Sequence, residues 1–210
     1  MSKNEQVLVI DNTPSIHQGV GDYFYLSLDG SDSWHYYALN EATFIDRWLA
    51  EQDPTILQVI PYVVCLSPDG KALSYQRKGG GESRLEGKHS IGIGGHVNTT
   101  DAIFDTETGD VSWKTVIKGA VREVTEEISV TSEYAMANLR EVGILYTPSD
   151  HGDNPAGPGP NVGEVHMGIV FILPVEEDVV LSDNEGMIKP KFVTSKGERT
   201  KYEYWSQLVL

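Results

Sequence analysis

The sequence predicts an α/β protein in which helices flank a central mixed sheet. Apolar, β-branched runs at 57–66 and 71–77 indicate two strands, and the Ser-Pro-Asp-Gly stretch at 67–70 between them is turn chemistry typical of a hairpin. Apolar residues spaced three and four apart over 112–129 predict an amphipathic helix. Strands and helices therefore mix along one chain, which favours a single layered domain.

The N-terminal quarter is expected to be an extension. Residues 1–54 are too few to hold a core of their own comfortably, so we expect them to pack on a main domain at 55–210. A strand is predicted at 5–10, and a hairpin or packed loop at 22–39. Asn40 is placed to cap a helix running to about Gln52. Its buried stripe would consist of Phe44, Ile45, Trp48 and Leu49.

The remaining elements are assigned from the same patterns. The predicted ones are a strand into a glycine turn at 89–97, strands at 139–147, 164–173 and 186–193, and a helix over 202–210 with Trp205 and Leu208 inward. The loop 148–162 has three Gly and three Pro among residues 151–161. Long irregular loops inside compact domains are often functional, so we expect it to form part of a substrate rim or else to be a tolerated insertion.

Composition narrows the class of function. The 210 residues include 16 Lys+Arg and 31 Asp+Glu, a formal net charge of −15. Such acidity argues against nucleic acid and against anionic membrane surfaces as partners. The one cysteine, Cys65, lies in an apolar run and is expected to be a core residue. The first residues show no basic-then-apolar leader, so a cytoplasmic location is expected.

The helix at 112–129 carries the most informative pattern. Glu123, Glu126 and Glu127 stand at i, i+3 and i+4 and so share one face, apart from the apolar face. A solvated acidic face is one interpretation; a site for a divalent cation is the other, because Mg²⁺ prefers oxygen ligands. Arg122 beside them favours the second, since it can orient a neighbouring carboxylate. The glycines at 94–95 would let the backbone approach a ligand.

These residues resemble the signature of the Nudix hydrolases. Gly95 followed by Arg-Glu-Val-Thr-Glu-Glu at 122–127 matches the family's Gly and its Arg-Glu-U-x-Glu-Glu core, where U is a bulky aliphatic residue, and the resemblance covers roughly 56–210. It implies an α/β/α sandwich and hydrolysis of a diphosphate linkage in a nucleoside-diphosphate-type or related phosphorylated small molecule. It also implies Mg²⁺ or Mn²⁺ as cofactor and a possible homodimer. The implied catalytic residues are Glu123, Glu126 and Glu127 with Arg122 to orient them, and the implied metal ligands are the same glutamates with the Gly94 carbonyl and Glu164. Glu185 competes with Glu164 for that role.

The chain departs from the family pattern in three places. The sixth residue after Gly95 is Asp101 where the family has Glu, twenty residues separate Asp101 from Arg122 instead of seven, and Ser129 replaces a glycine. The extra residues, 102–111, indicate a surface hairpin or loop. Asp101 either supplies the missing carboxylate or has lost that role.

Three further residues are candidates for binding substrate. His96 follows the glycine turn and either contacts a phosphate or is a plain turn residue. Arg77 and Lys78 belong to the local basic cluster around the glycine loop, and they either receive an anionic substrate or are solvated loop charges.

Two other functions compete with a hydrolase. A non-catalytic module that binds a phosphorylated metabolite for regulation would explain the altered Asp101 position, although the three clustered glutamates argue against it. An isopentenyl-diphosphate isomerase has a similar fold, but its chemistry would want a cysteine and extra metal-binding histidines around the site, and Cys65 lies in an apolar strand.

Overall fold

The computed structural model describes residues 5–13, 23–26, 39, 41–78, 87–149, 160–181, 187–194 and 199–210. Within them the strands are β1 Gln6–Asp11, β2 Tyr23–Leu26, β3 Thr43–Asp46, β4 Ile56–Leu66, β5 Ala72–Arg77, β6 His89–Ser90, β7 Gly92–Gly94, β8 Arg140–Tyr146, β9 His166–Pro174 and β10 Met187–Val193. The α-helices are α1 Arg47–Ala50, α2 Lys114–Glu127, α3 Ser132–Asn138 and α4 Tyr204–Val209.

All the strands belong to one mixed sheet built around β4. The main path runs β10-β5-β4-β9-β8-β2, while β1 and β7 pair with β4, β3 with β1, and β6 with β5. The β4–β9 pair is parallel and pairs Gln58 with His166 through to Leu66 with Pro174. The neighbouring pairs are antiparallel. The central mixed sheet expected from the sequence is therefore confirmed.

The two faces of the sheet pack against different helices. Leu57, Val59 and Val63 on one face of β4 join the main core with Val116 and Val124 of α2. The alternate residues, Tyr62 and Val64, form a second cluster with Trp205 and Leu208 of α4, so these two aromatic and aliphatic side chains face inward as expected. Because side chains alternate along a strand, the result is an α/β/α sandwich.

The predicted helix from Asn40 to Gln52 is wrong. Residues 43–46 form β3 and pair antiparallel with Gln6–Val9 of β1, and only Arg47–Ala50 are helical. Half of the expected buried stripe is also wrong, because Trp48 is 55% exposed and Leu49 45% exposed. Phe44 and Ile45 do pack against apolar clusters, but from β3. The Thr-Phe-Ile run has high strand propensity, and the free edge of β1 offered it backbone hydrogen bonds that no local pattern reveals.

Most other elements lie where the sequence predicts them. The hairpin of β4 and β5 is confirmed, with Gly70 at a φ of 79° in its turn. Helix α2 begins at Lys114, two residues after the expected cap, although the Ser112 hydroxyl still accepts from the Lys114 amide at 3.4 Å. Helix α3 was not predicted. Residues expected in a hairpin or loop at 22–39 lie outside the described part of the chain, apart from β2 and Leu39.

The N-terminal strands continue the main sheet. Val9–Asp11 of β1 pair with Ile56–Gln58 of β4, and Val7 and Val9 pack with Ala50 in a small apolar cluster. The domain boundary between 54 and 55 stays a prediction. In the described part of the chain, no helix has the length and apolar character needed to cross a membrane.

Cys65 is a core residue, as expected. It is fully buried on β4, and burial raises the pKa of its thiol to about 12. We therefore expect the folded protein to resist a thiol-specific reagent at pH 8 and to react with one equivalent per chain once unfolded in guanidinium, because only the thiolate is nucleophilic. Absorbance of the released chromophore measures this. Rapid labelling under native conditions would contradict the buried placement.

Candidate active site

The glycine turn and helix α2 meet at Glu123. A methyl group added to Gly95 would lie 2.5 Å from the Glu123 Oε1 atom, so any larger residue here would force this carboxylate to move. A methyl group added to Gly94 would collide with the Pro61 carbonyl. The sheet edge and the helix are therefore in contact where the sequence places the two parts of the motif.

Arg122 lies at the centre of a polar network. Its Nη1 donates to Glu123 at 2.7 Å and to Glu126 at 3.4 Å, while its Nη2 donates to the His96 carbonyl at 2.9 Å. Burial alone would lower its pKa, but the hydrogen bonds to Asp101 and the charge of Glu123 outweigh burial and raise it. Arg122 is therefore a permanent cation that fixes two of the three glutamates.

Asp101 holds Arg122 from the other side. Its two carboxylate oxygens accept from Arg122 Nε at 3.0 Å and Nη2 at 2.9 Å, which is a bidentate pair. The Asp101 side chain also accepts from the Asn98 amide at 3.1 Å, within the capping box of the 3₁₀ turn Thr99–Asp101. With 1% of its surface exposed, Asp101 supplies a carboxylate to Arg122.

The glutamates differ in their surroundings. Glu123 is half-buried; burial raises its pKa, Arg122 opposes that rise, and the charges of Glu126 and Glu127 add to it. Glu126 is exposed, with 59% of its side chain accessible. Negative charge therefore exceeds positive charge around Glu123, and a cation bound there would relieve the excess.

The insertion between Asp101 and Arg122 is a surface hairpin, as expected. Phe104 and Val111 form an antiparallel bridge, and the Ser112 amide donates to the Ile103 carbonyl at 2.8 Å. Gly109 has a φ of 80° in the turn. The chain leaves the site after Asp101 and returns to it at the start of α2.

A second group of ligand-type side chains lies beside the glycine turn. In the part of the chain that the structure describes, one group of three has all its donor atoms within 4.8 Å of one another, namely Glu51, His96 and His166. The three glutamates of α2 do not form such a group in this structure, and their role as metal ligands stays a prediction. The histidine group was not predicted as a unit.

His96 faces another histidine. Its Nε2 atom lies 3.3 Å from Nε2 of His166, and the ring centroids are 5.3 Å apart. Burial, followed by the charges of His166 and Arg47, holds the pKa of His96 well below its usual value. His96 is therefore neutral near pH 7, and its predicted contact with a phosphate would rest on hydrogen bonding.

The remaining residues that were predicted to bind substrate or metal either pair with nearby residues or are exposed to solvent. Arg77 Nε lies 3.4 Å from the buried Glu203 carboxylate, and Lys78 is exposed. Glu164 accepts from the Asn161 amide at 2.7 Å in a capping box. Their roles in binding substrate or metal stay predictions. Residues 150–159 of the expected rim loop lie outside the described residues.

Comparison with known proteins decides the family. Protein YmaB of Bacillus subtilis (strain 168) is 31% identical over 168 residues, which cover 77% of this chain and 73% of YmaB. A solved structure of Tm1382, a proposed Nudix hydrolase, superposes with a TM-score of 0.70 at 23% identity over 98% of this chain and 96% of that one. The chain belongs to the same family as YmaB and has the Nudix fold.

The Nudix resemblance stated from the sequence is thus confirmed in the fold of this YmaB-family chain. The MutT protein from Methanosarcina mazei Go1 is a more distant likeness, with a TM-score of 0.44 and 18% identity over 72% of this chain and 89% of that one. No family model matches the chain.

The buried pair of Asp101 and Arg122 predicts a loss of stability on neutralisation. We expect Asp101→Asn to lower the free energy of unfolding by about 2 kcal/mol, because Arg122 would keep its charge without its bidentate partner. Urea denaturation measures this. Asp178→Asn, at an exposed position, is the matched control and should change stability by less than about 0.5 kcal/mol. Equal effects at both positions would contradict the role given to Asp101.

The lowered pKa of His96 predicts a direction for the pH dependence of stability. Below the ordinary value of 6.5 the unfolded state takes up a proton that the folded state refuses, so stability falls as the pH drops from 7 towards 5. Imidazole NMR resonances of the metal-free protein should show His96 titrating below 6.5. His96→Gln should weaken the pH dependence of urea denaturation. A His96 midpoint at or above 6.5 would contradict this placement.

Proposed function

We propose that this protein is a metal-dependent hydrolase that cleaves a diphosphate linkage in a phosphorylated small molecule of the nucleoside-diphosphate type. The observation that carries the proposal is the contact of Glu123 with Gly95 while Arg122 holds Glu123 and Glu126. That contact joins the two halves of the sequence motif in space, despite the insertion between them. A cytoplasmic location and a homodimer remain part of the proposal.

The residues present fit a hard divalent cation such as Mg²⁺ or Mn²⁺. Three carboxylates on one helix face offer oxygen ligands. Burial raises the pKa of Glu123, and the charges of Glu126 and Glu127 add to that rise. We propose Glu123, Glu126, Glu127 and the Gly94 carbonyl as ligands, with Glu164 as a further one. When bound, the ion would supply positive charge to the phosphates and lower the pKa of a water molecule.

The protein's own side chains would then orient the ligands of the ion and accept a proton. Arg122 directs the Glu123 carboxylate through its 2.7 Å hydrogen bond and is itself held by Asp101, so it orients the site without touching substrate. A glutamate carboxylate that is not holding the ion would accept the proton of the attacking water.

The substrate's phosphates need cationic or hydrogen-bonding partners. We propose Lys78, which is exposed. His96 is the second candidate, and its ring would have to turn away from His166 to reach a phosphate. Arg77 is the third candidate, and it would have to turn from the Glu203 carboxylate to reach a ligand.

A non-catalytic binding module of the same fold is the alternative. It would bind a phosphorylated metabolite without turnover, and three clustered carboxylates at one site would serve it poorly. The isomerase reading loses support from Cys65, because a fully buried thiol with a pKa of about 12 is unsuited to proton transfer.

The proposal predicts that catalysis depends on the acidic face of α2. In a screen of diphosphate compounds with Mg²⁺ and Mn²⁺, release of phosphate or monophosphate should be seen with the wild type. Glu126→Gln with Glu127→Gln should lower kcat/KM at least a hundredfold on the substrate so found, because the ligands of the ion are lost.

The matched control is Glu107→Gln, on the exposed insertion. It should keep wild-type activity. Substrate binding without release of product would favour the regulatory module, and equal activity in the double variant and the wild type would place the chemistry elsewhere.

A further inference from the structure

We propose that Glu51, His96 and His166 form a separate site for a transition-metal ion of the zinc class. The site lies across the sheet from the glutamates of α2. It does not rest on the hydrolase proposal and would stand if that proposal failed.

The geometry of the two imidazoles fits a shared ion. Two nitrogen atoms bound to one tetrahedral zinc ion at about 2.05 Å stand about 3.3 Å apart. The Nε2 atoms of His96 and His166 are 3.3 Å apart, and a Glu51 carboxylate oxygen lies within 4.8 Å of a ring nitrogen of each histidine. Donor atoms from three separate parts of the chain therefore converge around one point.

The tautomer of His166 is already the one that a metal requires. Its Nδ1 atom lies 2.7 Å from the Val162 carbonyl, which can only accept, so Nδ1 carries the proton. The Nε2 lone pair consequently points towards His96. Ligating histidines in metal sites commonly make this kind of hydrogen bond from the other ring nitrogen to a backbone carbonyl. In the metal-free protein a proton on His96 Nε2 would occupy that lone pair.

A fully buried polar group beside the histidines points to a ligand independently. Gln58 is 0% exposed, and among the described residues neither its amide nitrogen nor its amide oxygen has a hydrogen-bond partner. Gln58 is the register partner of His166 in the parallel β4–β9 pair, so both side chains stand on the same face of the sheet. A buried amide without a partner is destabilising, because it has lost its hydrogen bonds to water and gained none in the protein. A water molecule or other ligand on the fourth position of the ion would give it one.

This site and the acidic helix α2 lie on opposite faces of the sheet. Gly95 lies against Glu123 of α2, whereas the next side chain, His96, faces His166. Gly168, two residues after His166, lies on the side of Trp205 in α4, the helix opposite α2. Alternation along the strand puts His166 on that same side.

Glu51 can act as a ligand although the charged Arg47 side chain lies beside it. Arg47 donates to Glu51 from Nε at 3.4 Å and to Glu5 from Nη1 at 3.1 Å. The longer of the two contacts is the one to Glu51, so a bound cation would displace a weak partner and Glu5 would keep Arg47 neutralised. Two imidazoles and one carboxylate suit Zn²⁺, Co²⁺ or Ni²⁺ better than Mg²⁺, which prefers oxygen.

The binding experiment uses Zn²⁺ and Co²⁺ as probes, with no other ligand added. The full chain, stripped with a chelator and dialysed, should bind one Zn²⁺ at this site, and Co²⁺ should give the visible absorption of a low-symmetry complex. Glu51→Gln and His166→Gln should each weaken Zn²⁺ binding more than about tenfold, since even partners of ligands matter by that factor. Zn²⁺ should raise the melting temperature of the wild type and not that of Glu51→Gln.

Two further variants separate this site from the active site. His89→Gln, at a half-buried histidine of β6, is the matched control and should bind Zn²⁺ like the wild type. Glu126→Gln with Glu127→Gln should also keep Zn²⁺ binding at this site while losing the proposed hydrolase activity. Unchanged Zn²⁺ affinity in Glu51→Gln, or loss of the ion only in the glutamate double variant, would overturn the proposal. Circular dichroism melts confirm that each variant folds, and Glu51, being partly exposed, is the variant on which the decision rests.

Discussion

The candidate active site depends on the Arg122 guanidinium, which is shared among several carboxylates. Arg122 binds Asp101 bidentately and donates further hydrogen bonds to Glu123, to Glu126 and to the His96 carbonyl. Asp101 and His96 belong to the segment that follows the glycine turn, while the glutamates belong to α2. The guanidinium therefore locks the sheet edge to the helix, and no isolated glutamate could hold its orientation in a patch of such negative charge without it.

Successive residues of the glycine turn face opposite sides of the sheet. Gly95 offers open space to the Glu123 carboxylate on one face, and His96 turns its ring to His166 on the other. The backbone carbonyl of His96 meets Arg122, so one residue contacts both groups. The carboxylates proposed as ligands on α2 and the two imidazoles proposed as ligands beside Glu51 therefore lie on opposite faces of the sheet.

Local sequence patterns correctly predicted the elements that depend on neighbouring residues. The acidic face of α2 follows from i, i+3 and i+4 spacing, and the β4–β5 hairpin follows from its turn residues. The error at residues 40–52 arose because pairing with β1 outweighed a helical pattern of four apolar residues. The group of Glu51, His96 and His166 could not be found in this way. Its members are far apart in sequence, and only the parallel register of β4 and β9 brings His166 to the turn.

The insertion leaves the site intact because of where it is clamped. Asp101, the partner of Arg122, lies before it, and the Ile103 amide and carbonyl bond to the Thr115 hydroxyl at 2.9 Å in the first turn of α2. The hairpin beyond Ile103 closes on itself through Phe104 and Val111. Extra residues past such a clamp add only a loop-closure entropy that grows slowly with length. The sequence distance between the two parts of the motif can therefore change while the distance between Asp101 and Arg122 does not.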